Sequence, residues 1–121
     1  MIEVEHVDFV SFLTQDIPRA KRFYSETLGL EIETEGEDDM EFRVGQVTLD
    51  IFNPASQGEP FAPNLGGMAL RVPDVDAARA ELEAKGVEFQ GETRETSVCR
   101  MAFFHDPDGN LLMLHRRFDV E

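Results

Sequence analysis

Asp16-Ile17-Pro18-Arg19-Ala20-Lys21-Arg22-Phe23-Tyr24, running on to Leu28-Gly29-Leu30-Glu31-Ile32, returns reworded as Asp74-Val75-Asp76-Ala77-Ala78-Arg79-Ala80-Glu81-Leu82, running on to Lys85-Gly86-Val87-Glu88-Phe89. Each stretch follows an alternating apolar run, opens on an aspartate and closes on a glycine before an apolar pair. The aspartate can accept hydrogen bonds from the first free N–H groups of a helix, and the glycine can take the left-handed conformation that ends one. The pattern is strand, capped helix, strand, written twice. A unit duplicated in tandem commonly places its site between the copies, so the functional residues are sought there.

Outward from these stretches, residues 4–14 alternate, with Val7, Phe9, Ser11 and Leu13 on one face and His6, Asp8, Val10, Phe12 and Thr14 on the other. This predicts a strand covered on both sides. Ile17, Ala20, Phe23, Tyr24 and Leu28 recur at helical spacing, which assigns the two aromatics to core packing, and Pro18 is tolerated in the first turn. Residues 30–34 read as a second strand, 35–39 as a charged turn, and 40–44 and 46–52 as two strands around Gly45, giving βαβββ. In the second copy, 67–72 is a strand, Val75, Ala78 and Leu82 form the buried helical stripe, 87–90 is a strand and 91–96 a polar turn. Residues 99–105 and 110–117 are the last strands, joined by Asp106-Pro107-Asp108-Gly109, a strong turn signal. The chain is one domain with a first module at 1–53, a Pro-rich linker at 54–64 and a second module at 65–121.

At 121 residues with 41% hydrophobic content, a chain of this size buries roughly two-thirds of its unfolded surface without staples. No apolar run approaches the roughly 20 residues of a membrane span, and the start lacks a basic segment followed by an apolar one. The expectation is a cytoplasmic protein that engages no membrane. Cys99 is the single cysteine, which excludes an intrachain disulfide and a cysteine-based zinc site, and its apolar setting reads as a small core or wall residue. The formal charge of −14 repels a phosphate backbone, and Arg116-Arg117 is too short a basic patch to reverse this, so nucleic acid is excluded as a partner. The acidity either steers cationic ligands or serves solubility.

Taken with Arg100-Met101-Ala102-Phe103-Phe104-His105-Asp106-Pro107-Asp108-Gly109-Asn110-Leu111-Leu112-Met113-Leu114-His115, these motifs resemble the vicinal oxygen chelate superfamily over nearly the whole chain. That group contains glyoxalase I, extradiol dioxygenases, fosfomycin-modifying thiol transferases and bleomycin-binding resistance proteins. The resemblance implies an α+β fold in which two tandem βαβββ modules form an open, cup-shaped mixed sheet, completed in a homodimer. In metal-using members one ligand lies seven residues before each capping Asp, here Phe9 and Gly67, and the others lie in each module's last strand, here Asp50 and Met113. A catalytic divalent site needs at least about three imidazole, carboxylate or thiolate donors. Phe9 and Gly67 offer none, Met113 offers a soft thioether, and Asp50 is left alone, so neither metal nor other cofactor is expected. His115 shares strand parity with Met113 and keeps open a rearranged metal site with Asp50; His6 has the wrong parity, and His105 can point either way.

Exchanging ligands for Phe, Gly and Met turns the floor of such a cup apolar. Its expected lining is Phe9, Ser11, Phe52, Gly67, Ala69, Met101, Phe103, Met113 and His115, with Asp50 as the polar anchor unless Arg43, Arg71 or Arg100 satisfies it. The first expectation for function is a metal-free protein of the glyoxalase/bleomycin-resistance type that binds a small aromatic or cationic molecule. The alternative is a metal-dependent lyase, dioxygenase or thiol transferase with rearranged ligands. A third reading has the large side chains simply filling the space of an interaction module.

Overall fold

In the computed structural model, which describes residues 1–118, the first strand is shorter than its alternation predicts. Strand β1 is Phe9–Leu13, and residues 1–8 are exposed and form no strand. The reason lies in its partner: β4 is Val47–Phe52 and begins directly after the hairpin turn that joins it to the preceding strand, so the parallel ladder starts at Phe9↔Thr48 and residues before Phe9 have no strand to pair with. Within β1 the predicted parity holds, with Phe12 buried and Phe9 and Ser11 exposed.

Asp16 caps helix α1 (Ile17–Lys21) as its sequence implies, accepting from the Arg19 N–H at 3.0 Å with Pro18 in the first turn. The helix then widens into a π-helical turn at Arg22–Thr27, where the Leu28 N–H reaches back to the Phe23 carbonyl at 2.9 Å. Ala20 and Tyr24 are fully buried. The Tyr24 ring meets Phe42 at 5.6 Å between centroids, and Phe23 packs edge-on against Tyr24 at 5.2 Å. Burying a side chain of this size stabilises the fold by about 2 kcal/mol.

Strands β2 (Glu31–Glu35) and β3 (Asp39–Val44) complete a sheet of order β1-β4-β3-β2, with β1 and β4 parallel and the rest antiparallel. Alternation sends Phe12, Met40, Phe42, Leu49 and Ile51 to one face, where they are buried and α1 packs on β3 and β4. After β4 the Pro-rich stretch starts with a 3₁₀ turn, Pro54–Gln57, capped by the Asn53 side chain.

The second unit repeats the topology. Its strands are β5 (Met68–Arg71), β6 (Arg94–Glu95), β7 (Cys99–His105) and β8 (Leu111–Arg117), ordered β5-β8-β7-β6 with β5 and β8 parallel. Helix α2 (Val75–Ala84) is capped by Asp74, which accepts from the Ala77 N–H at 3.0 Å, and buries Val75 and Leu82. The side chains of Ala102, Phe104, Leu112 and Leu114 form the buried sheet face, and α2 packs on β7 and β8.

The predicted strand at 87–90 does not form. Gly86 and Gly91 sit at φ +95° and +72° on either side, and the segment keeps one bridge, Phe89↔Phe104, and one bond from Gln90 N–H to the Phe103 carbonyl. Arg79 holds it to α2 instead, donating to the Gly91 carbonyl at 2.9 Å and the Thr93 hydroxyl at 3.1 Å, with its guanidinium 4.7 Å from the Phe89 ring centroid. The short β6 therefore lies inside the 91–96 stretch read as a turn. The Asp106–Gly109 turn forms as expected: Asp106 accepts from the Asp108 and Asn110 backbone N–H groups, and Gly109 has φ +92°.

The chain divides into two compact units, one ending at Ala62 and the next beginning at Pro63. Each is an open mixed sheet with its own helix on one face, which makes the fold α+β with two tandem βαβββ modules. Among the described residues no helix is long and apolar enough to cross a membrane.

Candidate functional site

In each module the helix covers one sheet face, and the predicted site residues fall on or beside the other. On the first sheet, register aligns Phe9, Ser11 and Leu13 of β1 with Thr48, Asp50 and Phe52 of β4, and these with Arg43, Glu41 and Asp39 of β3. The Ser11 hydroxyl donates to the Asp50 carboxylate at 2.9 Å. Burial pushes the Asp50 carboxyl above the ordinary carboxylate value; the Ser11 hydrogen bond opposes that rise, and the negative charges of Asp39 and Glu41 add to it. Arg43 does not satisfy Asp50 but pairs with Glu33, which also accepts from Thr48 at 2.8 Å. Arg100 likewise pairs elsewhere, with Asp76 and Glu95. Asp50 is thus a partly desolvated carboxyl among like charges, well suited to meet a cation or a hydrogen-bond donor.

On the second sheet, Ala69 lies beside Met113 and Met113 beside Phe103; the neighbouring row is Arg71, His115, Met101 and Arg94. Met101, Phe103 and Met113 are half-buried, whereas their strand neighbours Ala102, Phe104, Leu112 and Leu114 are the buried ones. These three side chains therefore lie outside the buried core of their own module. Cys99 is 6% exposed with its sulfur 3.4 Å from the Thr96 hydroxyl, in keeping with a wall residue.

Gly67 stands just before β5, where its φ of +92° is one that a residue with a side chain rarely adopts. A Cβ there would lie 3.3 Å from Leu111 Cδ2 and 3.4 Å from Met113 Cε. The position from which a metal-using relative would extend a ligand is therefore closed by backbone conformation as well as by residue type. With Phe9 55% exposed and carrying no donor, Met113 a thioether and Asp50 engaged by Ser11, the residues at the four positions do not fit a catalytic dication.

The ten predicted residues divide into four on the first module (Phe9, Ser11, Asp50, Phe52) and six on the second (Gly67, Ala69, Met101, Phe103, Met113, His115). Sequence reasoning missed Asp39 and Glu41, which flank Asp50, and Arg94, which ends the row through His115; Arg71, at the other end of that row, was considered only as a partner for Asp50. The hairpin about Gly45 fixes Glu41 opposite Asp50, so that pair was available from the turn alone. Arg94 was not, because β6 lies where a loop was expected. A surface cavity of about 310 Å³, lined by Gln15, Asn53, Pro54, Ala55, Glu59 and Phe61, contains none of the ten.

Residues 6–114 match the model of the Glyoxalase/Bleomycin resistance protein/Dioxygenase superfamily, and the chain belongs to that family. It is similar to the Escherichia coli (strain K12) protein YaeR, 28% identical with 97% of this chain and 100% of the relative aligned. Among solved structures, TnmS3, an antibiotic binding protein from Streptomyces sp. CB03234, superposes with a TM-score of 0.79 at 29% identity, covering 97% of this chain and 99% of that one. Lactoylglutathione lyase from Agrobacterium tumefaciens superposes with a TM-score of 0.81 at 19% identity over 93% and 94% of the two chains, a likeness of fold alone.

Proposed function

We propose that this protein is a metal-free small-molecule-binding protein of the glyoxalase/bleomycin-resistance type that takes up a small aromatic or cationic molecule, with apolar side chains on the uncovered face of the second sheet suited to an aromatic group and Asp50 on the first suited to a cationic one. The observation that carries the reading is the exchange of donors for apolar side chains: Met113 and Gly67 stand where ligands would, and Met101 and Phe103 extend the same surface. An apolar surface with a few placed polar groups is the usual construction of a small-molecule site. The likeness to an antibiotic binding protein supports binding over turnover. The reading includes a cytoplasmic homodimer, since open sheet edges and uncovered apolar faces favour association.

Calorimetry on chelator-treated protein tests it, using planar aromatic compounds with and without an amine. Saturable binding near one molecule per chain that chelation leaves unaltered is the expected result. Binding or turnover that appears only after zinc, nickel, manganese or iron is restored would overturn it in favour of a metal-dependent lyase, dioxygenase or thiol transferase. Light scattering that finds a monomer at micromolar concentration would remove the dimer.

A further inference from the structure

The second sheet's uncovered face has a charge pattern that the chain's composition does not foretell. The protein carries 25 acidic residues against 11 basic ones. Yet the side chains that register assigns to this face include Arg71, Arg94, Arg117, His105 and His115 and not one carboxylate. Elsewhere Lys21, Arg43, Arg79, Lys85 and Arg100 are each matched to an acidic partner. Among the described residues Arg71, Arg94 and Arg117 have no such ion pair, and Arg22 and Arg116, away from this face, have none either. What sets this face apart is that Arg71 and Arg94 share one row with no carboxylate beside them.

The arrangement is also ordered in rows. Ala69, Met113 and Phe103 form an apolar row across β5, β8 and β7. The next row on the same face is Arg71, His115, Met101 and Arg94, with an arginine at each end. Adjacent rows on one face are about 7 Å apart, close to the distance between a fused-ring body and its substituent. Arg94 already leans inward, its guanidinium 5.6 Å from the Phe103 ring centroid. A guanidinium's planar fork matches a carboxylate, and the same group can stack on an aromatic face.

Resting on the small-molecule reading above, we propose that this face is a subsite for an aromatic carboxylate. Arg71 and Arg94 take the carboxylate oxygens, and Phe103, Met113 and Ala69 carry the ring.

The test compares three probes of one shape by calorimetry at pH 7 and low salt: 2-naphthoate, 2-naphthol and 2-naphthylmethylammonium. Naphthoate is expected to bind about tenfold tighter than naphthol, the scale of one charge-assisted contact. Arg71→Gln combined with Arg94→Gln should lose at least about tenfold for naphthoate and leave naphthol within about twofold. Arg22→Gln, a charge change on the exposed side of the first module's helix, should change neither. Circular dichroism melts establish that the double variant is folded; if it is not, Arg71→Lys and Arg94→Lys, which keep the charge and lose the fork, should weaken naphthoate selectively. Equal or tighter binding of naphthol or the ammonium probe overturns the subsite while leaving small-molecule binding intact. Failure of all three to bind overturns both readings, as does a dimer that closes this face and comes apart on the double substitution.

Discussion

Replacing Gly67 by alanine should destabilise the protein by an amount that can be worked out from its surroundings. At φ +92° the backbone lies in the region where a Cβ crowds the following carbonyl, which costs about 1–2 kcal/mol for a residue other than glycine. The added methyl would also sit 3.3 Å from Leu111 Cδ2 and 3.4 Å from Met113 Cε. Both are ends of flexible side chains, so yielding by a few tenths of an ångström adds roughly 0.5 kcal/mol. The sum, about 1.5–2.5 kcal/mol, corresponds to a fall in Tm of roughly 5–10 °C for a chain of this size. Gly45→Ala is the matched control: φ is +60° and nothing lies within 4 Å of the new Cβ, so its loss should stop near 1 kcal/mol. Urea titrations followed by circular dichroism measure both. Gly67→His should lose at least as much as Gly67→Ala, and added zinc should not restore it, because a strained imidazole beside a thioether makes a poor site. A Gly67→Ala protein as stable as its parent, or a Gly67→His protein rescued by stoichiometric zinc, would refute this account of why the position bears no side chain.

Asp50→Asn should stabilise the fold slightly at pH 7, since asparagine keeps an acceptor for Ser11 and removes a charge held beside Asp39 and Glu41, with solvent screening keeping the gain to a few tenths of a kcal/mol, about the size of an exposed charge interaction. The folded carboxyl titrates above 3.8, so Asp50 favours the fold most at low pH and progressively less as pH rises through its elevated value; the variant's advantage, followed by urea melts from pH 7 to 4, should shrink on acidification. Asn110→Ala should cost about 2–4 kcal/mol by denaturant titration, because Asn110 is fully buried, donates to Asp106 at 2.8 Å and accepts from the Asn64 N–H at 2.7 Å, so the Asn64 N–H loses its acceptor and Asp106 one of its donors. Arg79→Ala should cost about 1–2 kcal/mol and speed amide exchange at 87–93 in particular, since the guanidinium ties Gly91, Thr93 and Phe89 to α2.

What sequence reading delivered, it delivered where a local rule was strong. Asp16 and Asp74 cap the helices they were expected to cap, Gly29 and Gly86 stand at positive φ just past them, and the Asp106–Gly109 turn sets the register of β7 on β8. Parity then placed Met101, Phe103, Met113 and His115 on one face without further information. It failed where a strand's existence depends on its partner. Residues 4–8 continue the alternation of a strand, but β4 offers them no ladder, and 87–90 has strand composition but is claimed by Arg79. The cationic row was hidden for the same reason, because Arg94 joins it only through a two-residue pairing with β7 that no periodicity announces.

The widened turn at Arg22–Thr27 bears on how chain length can vary within this architecture. A π-turn carries one residue more than an α-turn, so it stores slack inside the helix between two fixed points, the Asp16 cap and the Gly29 stop. Losing one codon from an ordinary helix swings every later side chain by about 100°. Lost here, the same codon would let the coil tighten to regular pitch while both anchors kept their bearings. The segment is therefore a place where a single-residue deletion can be absorbed between the Asp16 cap and the Gly29 stop.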